Sequence, residues 1–484
     1  RNWKEWEWKK GSLEALKILN DINYKVILIS NQPGVARGFM TDKDLDDIHK
    51  KMKNEINNFG GSIDSIYVCK CNWDDNCYCR KPNPGMIFKA QYDNDFVLSD
   101  TYFIGDDERD MEAAKRAGCK GILIRGNDKL DIVVKNLFIN LMFEYLITGS
   151  KGYIGSRLVD MLLEKQKKIK VIDNNYFDDC NFEFSAISDN FNHVKKDIRD
   201  LEIDDFKNVK NVIHLAALSN DPIGNLNSSW TDQINNEATV KMAKLAKNAG
   251  VRKFIFSSSC IMYGNAESDE VNEETPVDPN TDYALSKVLA EKKIMEISDN
   301  NFSVTSLRNG TVYGLSKFMR FDTVTNDFLG SALTKNEIII KGDGEPWRPV
   351  VHVDDVCRSF IMISEENTSK IAGQIFNNGA DKLNIKVKDL AQIVKNEVPD
   401  TKIKILNDAE TDSRSYKASF KKFKDFFPNF DFKFTPELGV KDLHNKLILN
   451  GFKGEDYESG KFIRLKKLSN LINQDKVDKD LKWK

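Results

Sequence analysis

Three glycines spaced as Gly149-Ser-Lys-Gly152-Tyr153-Ile154-Gly155 constrain this 484-residue chain more than any other feature. The apolar run Phe143 to Ile147 precedes them and a helical apolar pattern, Tyr153 to Leu163, follows, so the triplet falls where a strand turns into a helix. That is the setting a dinucleotide fingerprint requires. The first glycine permits a tight turn, the second lets backbone approach a pyrophosphate, and the third lets the helix pack closely with its N–H groups toward the phosphates. Asp173 ends the next predicted strand, Ile169 to Ile172, where a carboxylate binds the adenosine ribose hydroxyls. Its charge would repel a 2′-phosphate, which favours NAD over NADP. The competing reading makes Asp173 a strand cap before the Asn174-Asn175 turn.

Tyr283 and Lys287 lie four apart in a helix-compatible stretch, Asp282 to Ile297, so both project from one face. A phenol titrates near ~10, too high for a base at neutral pH. A neighbouring ammonium and the positive charge of an oxidised nicotinamide favour the phenolate and lower that value. Ser259 ends another predicted strand, Phe254 to Ser259, and could donate a hydrogen bond to the same substrate oxygen. Alone, a Tyr-x-x-x-Lys pair reads as a solvated helix face. After a glycine fingerprint and a strand-end serine, it reads as removal of a proton from a sugar hydroxyl while hydride leaves the same carbon.

Further ordered segments are Lys196-Asp197-Ile198, His214-Leu-Ala-Ala217, Tyr263-Gly264, Leu307-Arg308-Asn309-Gly-Thr-Val-Tyr-Gly314 and Trp347-Arg348-Pro-Val-Val-His352-Val-Asp354-Asp355. With them, residues 142–447 resemble the extended short-chain dehydrogenase/reductase family, specifically its nucleotide-sugar epimerases and dehydratases. The resemblance implies an α/β fold, an NAD(P)-binding Rossmann domain with a smaller carboxy-terminal substrate-binding part. It implies a catalytic set of Ser259, Tyr283 and Lys287, with the cofactor on Gly149, Gly152, Tyr153, Ile154, Gly155 and Asp173, and with Asp197 and Ile198 by the adenine. Arg348 would contact the diphosphate of a nucleotide sugar, with Arg414 a weaker candidate, because an arginine fork suits that anion although an isolated arginine is usually surface. A homodimer through the helices around 231–248 and 282–297 is implied as well. Family members that remove water carry a Thr-Asp-Glu run where this chain has Ser259-Cys260-Ile261, and neither cysteine nor isoleucine supplies a carboxyl group. The expectation is therefore an epimerase that oxidises a ring hydroxyl to a transient ketone and returns hydride to the opposite face. A dehydrogenase or a ketosugar reductase would use the same three residues, and a noncatalytic NAD-sensing or assembly protein would keep the glycines with little reason to keep the triad.

The amino-terminal third carries a different pattern. Lys25 to Ile29 reads as a buried strand ending in Ser30-Asn-Gln-Pro-Gly, and Thr101 to Ile104 as another ending in Gly105-Asp106-Asp107-Glu-Arg-Asp110. Between them lie Cys69-Lys-Cys71 and Cys77-Tyr-Cys79, two close pairs that fit a tetrahedral thiolate site for structural zinc, against two disulfides or free thiols. Arg80-Lys81-Pro-Asn-Pro follows. Residues 1–137 resemble the haloacid dehalogenase superfamily, closest to histidinol-phosphate and heptose-bisphosphate phosphatases. That resemblance places Ser30 and Lys81 on a phosphoryl group and Asp106, with Asp110, on Mg²⁺ in the complete domain. The family's nucleophile is the first aspartate of an Asp-x-Asp motif ahead of the Ser30 segment, and none occurs there; the chain starts with Arg1 rather than Met. The expectation is a missing amino terminus and no phosphatase activity for the chain as given. The phosphatase resemblance also hints at a heptose as the sugar.

Forty per cent apolar and 30% charged residues suit a soluble, two-domain protein, and thiolate-rich chemistry with nicotinamide use favours the cytoplasm. A net charge of −2 gives no case for nucleic acid or membrane binding. Five dispersed histidines support neither a histidine metal cluster nor a histidine triad. Residues 448–484 read as a charged tail with a short amphipathic helix, Phe462 to Ile472, as a packing or solvated appendage.

Overall fold

The computed structural model describes residues 3–484 except 23, 140–141, 183–190, 220, 225, 266–269 and 407–413. It divides into two compact units, Arg1–Met142 and Phe143–Lys484.

In the first unit, strands β1 (Ile27–Asn31) and β2 (Ser65–Cys69) pair in parallel, as do β3 (Tyr102–Gly105) and β4 (Lys120–Leu123). The helix Asp42–Phe59 starts with a capping box, Thr41 accepting from the Asp44 N–H and Asp44 accepting from the Thr41 N–H. Its Leu45, Ile48, Met52 and Ile56 recur at helical spacing and are buried, which fixes the face it turns inward.

In the second unit, seven parallel strands form one sheet: β5 (Phe143–Thr148), β6 (Ile169–Asp173), β7 (Asn192–Lys195), β8 (Val209–His214), β9 (Lys253–Ser259), β11 (Ser303–Asn309) and β15 (Gln374–Asn378). Their order is β15-β11-β9-β8-β5-β6-β7. The chain leaves β5 in one direction to build β6 and β7, then returns to the other side of β5 to build the rest. The crevice at such a reversal, beyond the carboxyl ends of the strands, is where open α/β sheets bind ligands. Runs such as Lys253–Ser258 are buried throughout, as expected of a parallel sheet covered on both faces. Phe254, Phe256 and Phe302 are fully buried on one side, and Tyr145, Ile147, Leu158 and Phe360 on the other. Each such apolar side chain contributes about 1.5–3 kcal/mol.

Smaller pairings follow in the rest of the unit, and of these β12 (Thr311–Tyr313) and β14 (Trp347–His352) reach the crevice. β12 runs parallel to β14, which pairs antiparallel with β16 (Asn384–Lys386). β10 (Glu270–Val271) pairs with β18 (Lys417–Ala418), and β13 (Glu337–Lys341) with β17 (Lys402–Leu406).

The helix Asp282–Met295 is fixed to the sheet from beneath. Glu291 accepts from Arg308 on β11 (Nη2 at 2.6 Å, Nε at 3.1 Å) and from the Ser306 hydroxyl at 2.6 Å, all buried. Removing one partner of a buried pair of this kind costs about 3–5 kcal/mol, so the pair holds the helix in register more than it adds net stability.

Of the two roles left open for residues 448–484, packing or solvated appendage, the described residues take the packing one. Leu468, Leu471, Val477 and Leu481 enter the same core as Phe254 and Phe256, while the lysines of the helix Arg464–Asn473 stay on its outer face.

Candidate active site

A cleft of about 600 Å³ opens along the carboxyl edge of the seven-stranded sheet, within the range of small-molecule sites. Every site residue predicted for the second unit lines it.

Gly149 has φ of +74°, and a Cβ there would lie 2.7 Å from the Ala216 nitrogen. A Cβ on Gly155 would lie 2.0 Å from the Gly149 carbonyl oxygen, so the turn closes only with glycine at both places. The helix Tyr153–Glu164 starts there, its first N–H groups facing the cleft without a side-chain cap. Asp173 Oδ2 accepts from the Lys151 N–H at 2.9 Å and Oδ1 from the Asn175 N–H at 2.8 Å. Burial raises its pKa while those two bonds oppose the rise. Asp197 is held by Arg199, Nη2 to Oδ2 at 2.8 Å, and Ile198 is buried beside it. Tyr153 is tied off: its hydroxyl donates to the Gly314 carbonyl at 2.6 Å and accepts from Asn326 at 3.0 Å.

Ser259 ends β9, and Tyr283 and Lys287 rise from the helix Asp282–Met295, whose first turn is capped by Thr281. The Ser259 hydroxyl lies near enough to the Tyr283 hydroxyl to lower its pKa. Lys287 is 3% exposed, donates to the Ser257 carbonyl at 2.8 Å and lies 4.7 Å from the Phe256 ring centroid. Burial pushes its pKa down to about 7, with Glu291 opposing. Burial likewise pushes Tyr283 up to about 12 against the charge of Arg320 and the Ser259 hydroxyl. Arg320 is therefore a cation acting on the phenol that the four-residue spacing did not show. Lys287 itself is held close to neutrality by desolvation.

Arg320 is a residue the sequence reading missed. It donates through Nε to Asp322 at 2.7 Å and through Nη1 to the Ser219 carbonyl and hydroxyl at 3.1 and 3.0 Å. Its only sequence signal is the Arg320-Phe-Asp322 pair in an irregular segment after Gly314. Arg414 pairs with Asp221 at 2.9 Å, and Arg348 donates to the Arg414 carbonyl, so the two predicted arginines meet on one wall. Cys260 points away from the cleft, its thiol 3.2 Å from the Arg308 carbonyl, whereas Ile261 lines the cleft. His214 is structural, buried between Thr148 and Thr239 at 2.7 Å each.

In the first unit, Lys81 packs against the end of β1 beside Ser30, its ammonium 2.6 Å from Asp110 and 3.2 Å from the Ile29 carbonyl. Asp106 follows β3, and its carboxylate is engaged by Lys9, which lowers its pKa. The four cysteines of the loop converge, with Cys69 and Cys79 sulfurs 2.9 Å apart and Cys71 and Cys79 at 3.7 Å. Cys71 and Cys77 are joined in a disulfide with Cα atoms 6.4 Å apart, and the sulfurs of Cys69, Cys71 and Cys79 lie close enough together to hold a metal ion. Cys69 and Cys79 keep their thiols, and burial with the adjacent Cys69 pushes Cys79 up to about 11.

Residues 145–379 match the NAD dependent epimerase/dehydratase family, and residues 78–131 match the HAD-hydrolase-like family. A putative UDP-glucose 4-epimerase of Methanocaldococcus jannaschii is 30% identical over 260 residues, which cover 52% of this chain and 82% of the relative. The chain belongs to the NAD dependent epimerase/dehydratase family. Its first unit belongs with the HAD-like phosphatases: the D-glycero-beta-D-manno-heptose-1,7-bisphosphate 7-phosphatase of Bordetella bronchiseptica is 39% identical over 126 residues, 26% of this chain and 70% of the relative. The epimerase/dehydratase fold is also that of the UDP-glucose 4-epimerase of Thermotoga maritima solved with UDP-glucose, at 24% identity and a TM-score of 0.54 over 63% of this chain and 99% of that one. An NAD-dependent NDP-hexosamine 5,6-dehydratase aligns at 22% identity with a TM-score of 0.55, over 62% of this chain and 96% of that one. Both reactions therefore occur on this fold. No helix among the described residues of this epimerase/dehydratase relative is long and apolar enough to cross a membrane.

The low value at Lys287 has a measurable consequence. The folded chain releases this proton near 7 and an ordinary lysine near 10.5, so between those values the unfolded chain binds the extra proton and stability rises with pH. The penalty is fully present below about 7 and vanishes above about 10.5. Urea unfolding of the wild type and of Lys287→Met is predicted to show the difference, wild type minus variant, rising by about 2 kcal/mol from about pH 7.5 to about pH 9.5. A difference that does not change with pH would mean that Lys287 stays charged in the fold.

Proposed function

We propose that the second unit is an NAD-dependent nucleotide-sugar epimerase that works by transient oxidation of a sugar hydroxyl. The observation that carries this reading is the convergence of Ser259, Tyr283 and Lys287 in a cleft that also holds the glycine turn, with Ile261 where a dehydrating enzyme needs a carboxyl group. The residues present fit a dinucleotide: a turn that admits no Cβ at Gly149 or Gly155, free N–H groups at a helix start and a carboxylate at the end of β6. NAD bound there would take hydride from the sugar carbon, return it to the opposite face, and in its oxidised form add positive charge near the phenol.

Ser259 holds the sugar oxygen by a hydrogen bond. Tyr283 takes the hydroxyl proton as the carbon is oxidised and returns it when the ketone is reduced. For that, the phenol must come down from about 12, and Arg320 already acts in this direction. Lys287 beneath it, anchored on Ser257, exchanges its own proton near neutrality. Arg348 and Arg414 would hold the diphosphate of the nucleotide sugar while the ketone turns.

The test is incubation of the chain with NAD and a panel of nucleotide hexoses and heptoses, followed by mass spectrometry and proton NMR. An isomer of unchanged mass is predicted, and Tyr283→Phe is predicted to lower turnover by at least about 100-fold with NAD binding retained. A product two hydrogens lighter with NADH formed would make the chain a dehydrogenase. Loss of water would make it a dehydratase, and full turnover by the variant would remove Tyr283 from the mechanism.

In the first unit, Ser30 and Lys81 would bind a phosphoryl group and Asp106 a Mg²⁺ ion once released from Lys9. In reduced form, the cysteines at 69, 71, 77 and 79 would offer four sulfurs to a structural zinc. Metal analysis of protein purified under reducing conditions is predicted to give about one zinc per chain, lost on replacing Cys69 and Cys79 by serine. Zinc-free reduced protein with two or more titratable thiols in the loop would contradict the assignment.

A further inference from the structure

Arg464 opens the helix Arg464–Asn473, in a segment outside the residues that match the family. It is 2% exposed and lies on the wall of the cleft. Its Nη2 donates to the Phe318 carbonyl at 2.8 Å, and its guanidinium carbon sits 4.7 Å from the ring centroid of Phe177, which also lines the cleft. Nη1 has no hydrogen-bond partner among the described residues. The Cys180 thiol lies against the guanidinium and the charge of Asp322 reaches it, but Asp322 is bound by Arg320 through two bonds, and no ion pair to Arg464 occurs among the described residues.

A buried guanidinium without a carboxylate is a costly arrangement unless an anion completes it. Desolvation pushes the Arg464 pKa down, yet an arginine stays protonated in proteins, so the charge remains to be met. The flat fork suits phosphoryl oxygens, and Phe177 fixes its plane. The rest of the segment braces the same end of the cleft. Trp483 donates to the Asn174 carbonyl at 2.6 Å and packs on Tyr176, whose hydroxyl donates to the Leu481 carbonyl. Asn174, Tyr176 and Phe177 form the loop that follows Asp173.

We propose that Arg464 is a diphosphate-binding residue of this cleft, with its unpartnered Nη1 directed to an anionic oxygen of the dinucleotide or of the nucleotide sugar. The assignment rests on the nucleotide reading of the cleft given above. It makes the carboxy-terminal segment part of the binding site.

Calorimetric titration of the full chain with ADP-ribose and, separately, with UDP tests the assignment and distinguishes the two sources. Arg464→Met is expected to weaken at least one probe by about 10- to 100-fold, the loss expected for a charge-assisted hydrogen bond. Loss confined to ADP-ribose places Arg464 on the dinucleotide, and loss confined to UDP places it on the nucleotide sugar. Arg464→Lys keeps the charge but cannot serve Phe318 and a ligand together; a several-fold loss is expected, and this variant decides the matter if Arg464→Met does not fold. Lower thermal stability with unchanged affinity for both probes would assign Arg464 to packing and overturn the proposal alone. A wild-type chain that binds neither probe would overturn the nucleotide reading and this assignment with it.

Discussion

Burial of Lys287 beneath the cleft is the constraint on which the second unit is arranged. An amine removed from water, with a backbone carbonyl as its near partner, keeps one position only where the surrounding groups are fixed, and here they are fixed twice. Glu291, one turn further along the same helix, is locked to Arg308 and Ser306 on β11, and Ser257 on β9 supplies the carbonyl. The helix therefore cannot rotate without unpairing a buried charge. Because the same helix carries Tyr283, the rigidity that places Lys287 also sets the phenol against Ser259.

Much of this was legible in the sequence because it depends on short-range rules. A glycine that must take positive φ, a carboxylate at a strand end and two residues four apart on a helix are each local signatures, and strand order brought them into one cleft. What was not legible depends on partners far along the chain. Arg320 and Asp322 sit in an irregular segment with no periodic pattern, and their importance appears only when Ser219 and Tyr283 fold against them. Spacing alone also could not show that Arg320 approaches the phenol or that desolvation lowers the Lys287 pKa.

The carboxy-terminal segment shows the same limit. Composition marks it as charged, and its amphipathic spacing left packing and solvation both open. Leu468, Leu471, Val477 and Leu481 are nevertheless spaced to enter the core, and Arg464 reaches the cleft only because that packing holds its helix in place. The cysteine loop differs in kind: the sequence placed four sulfurs together correctly, but their chemical state depends on electrons as much as on geometry.

The central claim is that hydride leaves one sugar carbon and returns to it from within the same closed site. A nucleotide hexose carrying deuterium at the carbon that inverts, incubated with the chain and NAD in ordinary water and followed by proton NMR, tests this most directly. The isomer is predicted to keep its deuterium on the inverted carbon. Exchange of that deuterium for solvent hydrogen would mean that the carbon loses a proton rather than a hydride, and would contradict the claim.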